Sequence, residues 1–511
     1  MLLAGLVAVA VFLTLVARFW HPVYGFTRFL QLDASNDDAK IAAFKTQPVY
    51  VYRNTGGYDG LYYAQIAYHP ALTAAELAPA MDNLVYRARR ILPPALAWLF
   101  AGGQPEWIAP VYAVLNVGAW LALAVLLWDV LAVGDWRSGL AWGGVLFSVG
   151  ALGSVRFALT DLVALVIVAA GLRTAELGRR NSATGLLALA GLARETSLLA
   201  CAGLWERPWF SPKIVGRMLL AAAPLAAWLM YIRWSVGAAD AGWSNFDLPF
   251  TGFLEKWRAD LGASLHPNPD HRLLTWTSLL ATCGLTLQAA FILRHRQPAD
   301  PWWRTGAVYI LMMLCLGPAV WAGYPGAATR VLLPLTLVFN VLAARTRAPV
   351  AWLVLGNLGV FGGLLMMLDV HHDPHELGAA RVGGAGVVAQ VSEGWYGVER
   401  SGRHTWSWNS GHGTLALETW PHDQRELRLV CSLRSLKPVT VTITQGGALR
   451  GREIVGPTPI TIDFLVAIDQ GHAQLEFSTD TPGTQETADL GGRRLAFAVY
   501  DLRFGLPDTS R

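Results

Sequence analysis

WIAPVYAVLNVGAWLALAVLLW, residues 107–128, is the stretch that decides the class of this fold. Its 22 residues include no charged side chain, and a helix of about 20 apolar residues is long enough to cross the hydrocarbon core of a bilayer. An apolar run without a polar face also has no side that a soluble protein could expose to water. The stretch therefore predicts a membrane-spanning helix.

Similar runs recur through the first 370 residues. They are residues 2–20, 138–155, 162–172 with their flanks, 218–232, 273–293, 305–322, 331–344 and 349–368. Residues 181–205 add two shorter apolar pieces, interrupted at Arg194-Glu195-Thr196, and this interruption predicts a broken hairpin because charges are costly at the bilayer centre. Together the runs predict a multispanning α-helical membrane protein with about 11 spans.

The composition agrees with this class. Of the 511 residues, 53% are hydrophobic and 15% are charged, and the mean hydropathy is +0.37, so apolar residues exceed what a soluble core needs. The net charge of +4 fits basic residues that orient helices, and no nucleic-acid partner is expected. The four cysteines show neither disulfide nor metal spacing. Arg18 follows the first run, which is the wrong flank for a cleaved signal peptide, so this run predicts a retained span.

Short basic loops indicate the orientation. Residues 134–137, 178–181, 206–217, 294–304 and 345–347 all fall on one side of the membrane if the hairpin is broken at 194–196. The other side then receives the hairpin tip, residues 236–272 and 324–330, and the C-terminal part. The apolar segment 91–101 is short and has Pro93-Pro94 near its start. These features predict a re-entrant or interfacial helix.

The pattern changes near Gly384 to alternating apolar and polar residues separated by glycine-rich and proline-rich turns. Such alternation predicts a C-terminal all-β sandwich or jelly-roll domain. We therefore expect a transmembrane domain over 1–370 with a long external loop at 21–90, a linker over 371–384 and a β domain over 385–511.

One motif of the external loop reads Gly-Gly-Tyr-Asp-Gly-Leu-Tyr-Tyr at residues 56–63. It predicts a short amphipathic helix that Asp59 opens, with Tyr62, Tyr63 and Ile66 on one face at the membrane surface. Asp59 is then either a reactive carboxylate or merely the cap of this helix, with the tyrosines anchored among lipid headgroups.

Arginines cluster in Tyr-Arg-Ala-Arg-Arg-Ile-Leu-Pro at residues 86–93. Arg87, Arg89 and Arg90 on the external side run against the positive-inside tendency, so an anionic partner is indicated. A phosphate or diphosphate group suits guanidinium geometry, and plain contact with anionic lipid headgroups is the alternative.

Further charged residues are predicted at the same level of the membrane as this arginine cluster. They are Arg156, Asp161, Arg194, Glu195 and Arg330. Charges at membrane depth are candidates for a functional site, and together they outline a polar cavity. The structural alternatives are an ion pair between Arg194 and Glu195 and a helix cap by Asp161.

Two weaker signals lie near the C-terminal part. The adjacent ligand types in residues 371–376 lack metal-site spacing and favour a solvated linker. The aromatic residues of the β domain either stack on sugar rings or fill its core. They are Trp395, Tyr396, Trp406, Trp408 and Trp420.

These motifs resemble those of the GT-C superfamily of multispanning glycosyltransferases, which use polyprenyl-phosphate-linked sugar donors. The resemblance rests on the first span with its long external loop, residues 58–63 and 86–93, Thr160-Asp161, and Leu-Ala-Arg-Glu-Thr at 192–196. The C-terminal part resembles the carbohydrate-binding-like β-sandwiches that some of these enzymes contain.

The resemblance implies a hexosyl or pentosyl transferase of the bacterial inner membrane. Its donor would be a polyprenyl-phosphate sugar, its acceptor a glycan or lipid-linked molecule, and its β domain periplasmic. Asp59 matches the catalytic carboxylate of the first external loop, where Asp33, Asp37 and Asp38 are the other carboxylates. The substrate-binding residues implied are Tyr58, Tyr62, Arg87, Arg89, Arg90, Arg156, Asp161, Arg194, Glu195 and Arg330.

No metal ligands and no certain cofactor are assigned, and a divalent metal ion is left open. Two other functions fit the same pattern. A transporter or flippase of lipid-linked sugars also needs arginines near a lipid phosphate, but the sequence shows no internal repeat. A membrane anchor that presents a glycan-binding β domain needs none of the buried charges.

Overall fold

A computed structural model of the chain describes residues 1–206, 211–237, 243–323, 325–486 and 492–507. It divides into a helical unit and a β unit. The helical unit comprises Met1–Phe19, Phe26–Lys45 and Val49–Val370, and the β unit comprises Trp20–Gly25, Thr46–Pro48 and His371–Arg511. Two short segments of the predicted external loop thus belong to the β unit, which no local sequence pattern indicated.

The helices and short strands of the helical unit follow the apolar runs and the caps between them. The helices are α1 (Leu2–Ala17), α2 (Ala42–Thr46), α3 (Gly60–Tyr68), α4 (Leu84–Ala88), α5 (Leu92–Phe100), α6 (Pro105–Val130), α7 (Trp136–Leu146), α8 (Val149–Arg156), α9 (Asp161–Glu176), α10 (Arg180–Ala193), α11 (Pro212–Ser235), α12 (Thr251–Leu265), α13 (Arg272–Arg294), α14 (Pro301–Cys315), α15 (Pro318–Trp321), α16 (Ala328–Val331), α17 (Leu333–Arg345), α18 (Val350–Gly356) and α19 (Val360–Leu368). The 3-10 helices are Thr27–Leu30, Ala34–Ala39, Glu195–Leu204, Trp243–Asn245 and Pro269–His271. A parallel pair, β1 (Leu32–Asp33) and β2 (Val51–Tyr52), completes the unit.

Within the described residues, four helical segments are long and apolar enough to cross a membrane, or five if the bent pair α7–α8 is one span. The four are Pro105–Val130, Pro212–Ser235, Pro269–Arg294 and Val350–Leu368. This is fewer than the predicted 11, because caps and prolines divide several apolar runs into shorter helices and because α1, α9 and α17 have only 16, 16 and 13 residues. Helix α5 has nine residues, which is too short to cross.

The break between α7 and α8 shows how local chemistry divides an apolar run. Asp135 and Ser138 form a capping box that starts α7, and the Ser148 hydroxyl accepts a hydrogen bond from the Ala151 amide to start α8. The two helices are bent by 41°. One predicted span is therefore two helices with a polar joint.

A second break ends α14 before the predicted limit of its run. Pro318 begins α15 and, because proline lacks an amide donor, it suits the first turn of a new helix. The Gly317 amide donates to the Asn245 carbonyl at 2.8 Å, and Leu316 forms a bridge with Phe246. The break thus joins two distant stretches of the chain beside the cavity described below.

The β unit is an antiparallel sandwich. Its strands are β3 (Glu376–Val382), β4 (Ala385–Val391), β5 (Glu399–Ser401), β6 (His404–Asn409), β7 (His412–Trp420), β8 (Glu426–Arg434), β9 (Val439–Gln445), β10 (Ala448–Val455), β11 (Ile460–Ala467), β12 (His472–Thr479), β13 (Thr484–Gln485), β14 (Arg494–Leu495) and β15 (Phe497–Gly505). The described strands form sheets ordered β10-β9-β12-β7-β4-β3 and β11-β8-β15-β6-β5, with β13 and β14 as a separate pair. Inward residues of both large sheets, such as Leu415 and Leu429, share one core, as the alternating pattern predicted.

The segment predicted to be a linker is partly structured. Strand β3 begins at Glu376, and the Glu376 carboxylate lies 3.1 Å from Nε2 of His21 within the same unit. The Asp373 carboxylate accepts hydrogen bonds from the His375 amide and the Gln390 side chain. Residues 376–382 therefore belong to a sheet, because their backbone pairs with β4 although their local composition resembles a loop.

Candidate functional site

A cavity of about 490 Å³ lies in the helical unit, where the arginine run after α4, the tip of α10 and the α15–α16 segment converge. Its polar lining residues are Asp59, Asp82, Asn83, Tyr86, Arg87, Arg89, Arg90, Arg194, Glu195, Thr196, Ser244, Asn245 and Arg330. Its apolar lining residues are Phe246, Leu316, Ala319, Val320, Ala327 and Val331. We call it the arginine cavity, because five arginines and three carboxylates line it.

Asp59 lies at the wall of this cavity and is held by Arg87. Asp59 Oδ1 is 3.0 Å from the NH1 nitrogen of Arg87, while Arg87 also donates to both carboxylate oxygens of Asp82 at 3.0 and 2.6 Å. Burial opposes ionisation of Asp82, but the hydrogen bonds and charge of Arg87 outweigh it and hold the pKa of the Asp82 carboxyl below its ordinary value. Arg87 therefore orients two carboxylates at once.

The local sequence explains where Arg87 points. Asn83 caps α4 by accepting a hydrogen bond from the Tyr86 amide, and the Trp228 indole of α11 donates to the Ala88 carbonyl at 2.8 Å. The Arg87 guanidinium lies 4.9 Å from the ring centre of Tyr62, a favourable cation–π distance. A capped five-residue helix thus fixes the arginine run.

Arg90 and Glu195 form a second ion pair at the cavity wall. The guanidinium donates to both oxygens of Glu195 at 3.0 and 3.3 Å and to the hydroxyls of Tyr63 and Tyr86 at 2.6 and 3.1 Å. This bidentate ion pair joins the arginine run to the tip of α10, although Arg90 and Glu195 are 105 positions apart.

Asp161 joins two of the other three lining arginines from behind the lining. Its carboxylate pairs with Arg194 and lies 3.4 Å from Arg330, and it is 2% exposed. Arg330 also donates to the Tyr58 hydroxyl at 2.8 Å. Three distant motifs therefore meet at one buried carboxylate, because the end of α10, the start of α9 and α16 converge there.

The structure thus brings together most of the residues expected at a polar cavity. Asp59, Arg87, Arg89, Arg90, Arg194, Glu195 and Arg330 line it, and Tyr58, Tyr62 and Asp161 contact lining residues. Arg156 is the exception. Its side chain is buried against the rings of Phe19, Phe157 and Tyr52 at 4.7, 5.2 and 5.9 Å, because the end of α8 directs it into the packed loop.

The structural alternatives for these motifs are wrong in four details. Asp59 makes no side-chain cap of α3, because its carboxylate is engaged by Arg87. Helix α3 is buried on nearly all sides, and Tyr63 is 1% exposed, so this helix is not an amphipathic surface anchor.

The third and fourth details concern the hairpin tip and Asp161. Arg194 and Glu195 do not pair with each other in the described structure: Arg194 pairs with Asp161, and Glu195 pairs with Arg90. Asp161 begins α9 but uses its carboxylate for arginines rather than for a cap. Adjacent residues at a helix end point in different directions, so neighbours in sequence need not be partners.

Of the other loop carboxylates, Asp33 has a structural role. It accepts hydrogen bonds from the amides and hydroxyls of Ser35 and Thr55, all between 2.7 and 3.0 Å. Burial opposes its ionisation, but these bonds outweigh burial and keep the pKa of Asp33 well below its ordinary value. The side chains of Asp37 and Asp38 lie outside the described residues.

Several lining residues were not predicted from the sequence. Asp82, Asn83 and Tyr86 immediately precede or begin the arginine run, so their position was a usable signal. Asn245 and Phe246 were not identifiable, because only the pairing with the segment around Leu316 brings them to the cavity.

The side chains of the cavity suit an anion better than a cation. Each of its three carboxylates is paired with an arginine, and oxygen ligands engaged in this way are poorly available to a divalent metal ion. Among the described residues, no group of three or more His, Cys, Asp or Glu side chains is arranged to hold a metal ion. A metal role therefore gains no support from these donors.

The aromatic residues singled out in the β unit pack against its core and against one another. Trp395 packs against Phe477 and Phe497 with ring centres 5.5 and 5.6 Å apart, and Trp408 is 9% exposed. Trp406 stacks on Tyr500. This packing accounts for these tryptophans without a sugar ligand.

Comparison with known proteins gives little beyond this geometry. No protein-family model matches the sequence, and no curated protein matches it. Among solved structures, the chain is similar to the cryo-EM structure of arabinosyltransferase EmbB from Mycobacterium smegmatis, at 12% identity and a TM-score of 0.19. The similarity covers 80% of this chain and 59% of that one, so the chain spans less than two thirds of that protein's length. A functional conclusion therefore rests on the arginine cavity itself.

Proposed function

We propose that this chain is a GT-C-type glycosyltransferase of the bacterial inner membrane, which transfers a hexosyl or pentosyl group from a polyprenyl-phosphate donor to a glycan or lipid-linked acceptor on the periplasmic side. One observation supports this most strongly. A carboxylate, Asp59, and five arginines line a single cavity, whose volume is within the range of about 300 to 1,000 Å³ typical of ligand sites.

The arginines are suited to stabilise the negative charge of the leaving group. As the bond between the anomeric carbon and the phosphate oxygen breaks, the polyprenyl phosphate takes the electron pair and gains negative charge. Guanidinium groups bind phosphate oxygens through charge-assisted hydrogen bonds. Arg330 and Arg194 are suited to this role because Asp161 fixes both.

Asp59 is suited to act as the base that accepts the proton of the nucleophile. An acceptor hydroxyl must lose its proton as its oxygen bonds to the anomeric carbon, and a carboxylate within hydrogen-bond reach accepts that proton. Asp59 is 30% exposed and is held through one oxygen by Arg87. Asp82 is engaged by Arg87 through both oxygens, which makes it the weaker candidate for the base.

The finer topology belongs to the same proposal. The proposed topology has about 11 membrane crossings, because local thinning of the bilayer can accommodate helices shorter than a full span. The arginine cavity and the β domain would then lie on the periplasmic side, opposite the five basic loops.

Asp59→Asn tests the proposal. The variant should fold and bind donor but lose about 10²- to 10⁴-fold in transfer, the usual contribution of a general base. Transfer is measured with radiolabelled polyprenyl-phosphate hexoses and pentoses, using membranes from cells lacking the protein as the acceptor source. Asp82→Asn is the matched control and should lose at most about 5-fold, because exposed ion pairs contribute little.

Retention of full transfer by Asp59→Asn would remove this residue from the mechanism. Translocation of the labelled lipid across reconstituted vesicles without any transfer would instead favour a transporter. Glycan binding that survives replacement of every lining arginine would favour a membrane-anchored binding protein.

A further inference from the structure

A second large cavity lies at the other end of the helices that reach the arginine cavity. Its volume is about 720 Å³, and its wall includes Arg180, Trp205, Glu206, Trp303, Ala307 and Val308. We call it the tryptophan cavity. No residue of its described wall lines the arginine cavity.

Three elements connect the two cavities end to end. Helix α10 begins at Arg180 in the tryptophan cavity, and Arg194 at its end lines the arginine cavity. Its 14 residues correspond to about 21 Å at a rise of about 1.5 Å per residue. The 3-10 helix Glu195–Leu204 and α14 span the same interval, so the cavities lie at opposite ends of one layer of helices.

The polar side of the tryptophan cavity has two guanidinium groups, those of Arg180 and Arg304, and one carboxylate, that of Glu206. Arg180 Nε lies 2.5 Å from one oxygen of Glu206, and Arg217 lies 3.8 Å from the other. Within the described residues, the buried NH1 nitrogen of Arg180 has no hydrogen-bond partner. A buried guanidinium nitrogen without a partner indicates a missing acceptor.

Arg304, in the same wall, binds backbone carbonyls instead. Its guanidinium donates to the carbonyls of Ala202, Gly203, Pro298 and Ala299 at 2.7 to 3.0 Å. It therefore ties the end of the 3-10 helix to the start of α14. This leaves Arg180 as the wall residue suited to an external anion.

The other side of the cavity is apolar and continues toward the outside of the helix layer. Ala307 and Val308 lie on α14, and one turn further along, Leu311 is 63% exposed. Trp205 is 42% exposed, and tryptophan is enriched where membrane proteins meet the headgroup layer. An occupant must therefore combine an anionic head with an apolar body.

We infer that the tryptophan cavity binds an anionic phospholipid, with its phosphodiester at Arg180 and its acyl chains along Ala307, Val308 and Leu311. In the topology proposed above, this end of the helices and its neighbouring basic loops lie on the cytoplasmic side, where anionic lipids attract basic residues. The site is independent of catalysis. It would anchor, from the cytoplasmic leaflet, the hairpin whose tip lines the arginine cavity.

The test is native mass spectrometry of the full chain released from nanodiscs of phosphatidylcholine with or without phosphatidylglycerol. Ala307→Trp places an indole where the acyl chains would lie, and Arg180→Gln removes the anion partner. Each should weaken retention of one phosphatidylglycerol about 10-fold or more, as expected for loss of charge-assisted hydrogen bonds or of the space itself. Val125→Trp adds the same side chain at a 75% exposed position of α6 that lines neither cavity, so this variant should retain the lipid.

Three outcomes would overturn the inference. One is equal retention of phosphatidylglycerol by Ala307→Trp and the unmodified chain. Another is loss of that lipid in Arg330→Gln but not in Ala307→Trp, which would place it in the arginine cavity. The third is displacement by glycerol phosphate at the concentration of the lipid, which would show that the site recognises a soluble phosphate rather than a membrane lipid. None of these readouts depends on transfer activity.

Discussion

The helical unit contains two clusters of buried charge that differ in their surroundings. In the arginine cavity, ion pairs join α4, α9, the tip of α10 and α16 around open space. In the other cluster, Lys256 and Asp260 pair at 3.1 Å one turn apart on α12 and are 4% and 1% exposed. Serine and threonine hydroxyls of α13 and the Gly323 carbonyl complete their hydrogen bonds.

Lys256 and Asp260 also border a cavity, of about 280 Å³, so the two clusters differ in how their charged atoms are engaged and in how much space they border. Asp260 accepts hydrogen bonds from Ser278 and Thr282 at 2.8 and 2.6 Å, so its oxygens are engaged within the protein. The arginines around the cavity border a volume large enough for a phosphate and a sugar. We therefore expect substitutions in the Lys256–Asp260 cluster to change stability and those in the arginine cavity to change binding.

The largest effect is expected from Asp260→Asn. Removing one partner of a buried ion pair leaves the other charge uncompensated and typically costs about 3 to 5 kcal/mol. The midpoint of thermal unfolding should fall sharply. The affinity of the folded fraction for the donor should equal that of the wild-type chain within experimental error. The double variant Lys256→Met with Asp260→Leu should recover much of the loss. A stable Asp260→Asn with impaired donor binding would contradict the structural role.

A smaller effect, on binding, is expected from Arg330→Gln. Loss of a charge-assisted contact to phosphate should weaken polyprenyl-phosphate binding about 10-fold, equivalent to about 1.4 kcal/mol. Arg330→Lys should be intermediate, because lysine keeps the charge but lacks the planar fork that reaches both Tyr58 and Asp161. Fluorescent polyprenyl-phosphate titration measures both. Unchanged affinity in Arg330→Gln would separate this arginine from the ligand.

The smallest effect concerns pH and the Asp82–Arg87 pair. Because the pKa of Asp82 is lowered from its ordinary value of 3.8, its contribution to stability is fully present above that value and is lost as pH falls through the lower folded value. The difference in unfolding midpoint between the wild-type chain and Asp82→Asn should be constant from pH 5 to 8 and shrink below about pH 4. Its size should stay under about 1 kcal/mol, since Asp82 is 44% exposed. A difference that grows on acidification would contradict the assigned pair.

Sequence analysis predicted much of the fold and part of the candidate site. Hydropathy and alternation are local properties, so the helical and β regions were both indicated in advance. The break at Ser148 was missed because its serine cap, although local, lies within an uncharged run. The break at Pro318 was missed because the backbone pairing beside it, with Asn245 and Phe246, depends on neighbours in space. Arg194 and Glu195 were recognised as candidates, but their partners were not.

The sequence by itself determined which segments are apolar, which alternate, and which motifs contain arginine and carboxylate. Only the tertiary structure decided which of these charges meet. Arg330 and Asp161 are 169 residues apart, and Arg156, although only five residues from Asp161, packs against Phe19 and does not line the cavity. The physical reason is that hydropathy acts over one helix or strand, whereas an ion pair requires its two groups to be within about 4 Å, a distance set by how helix ends pack.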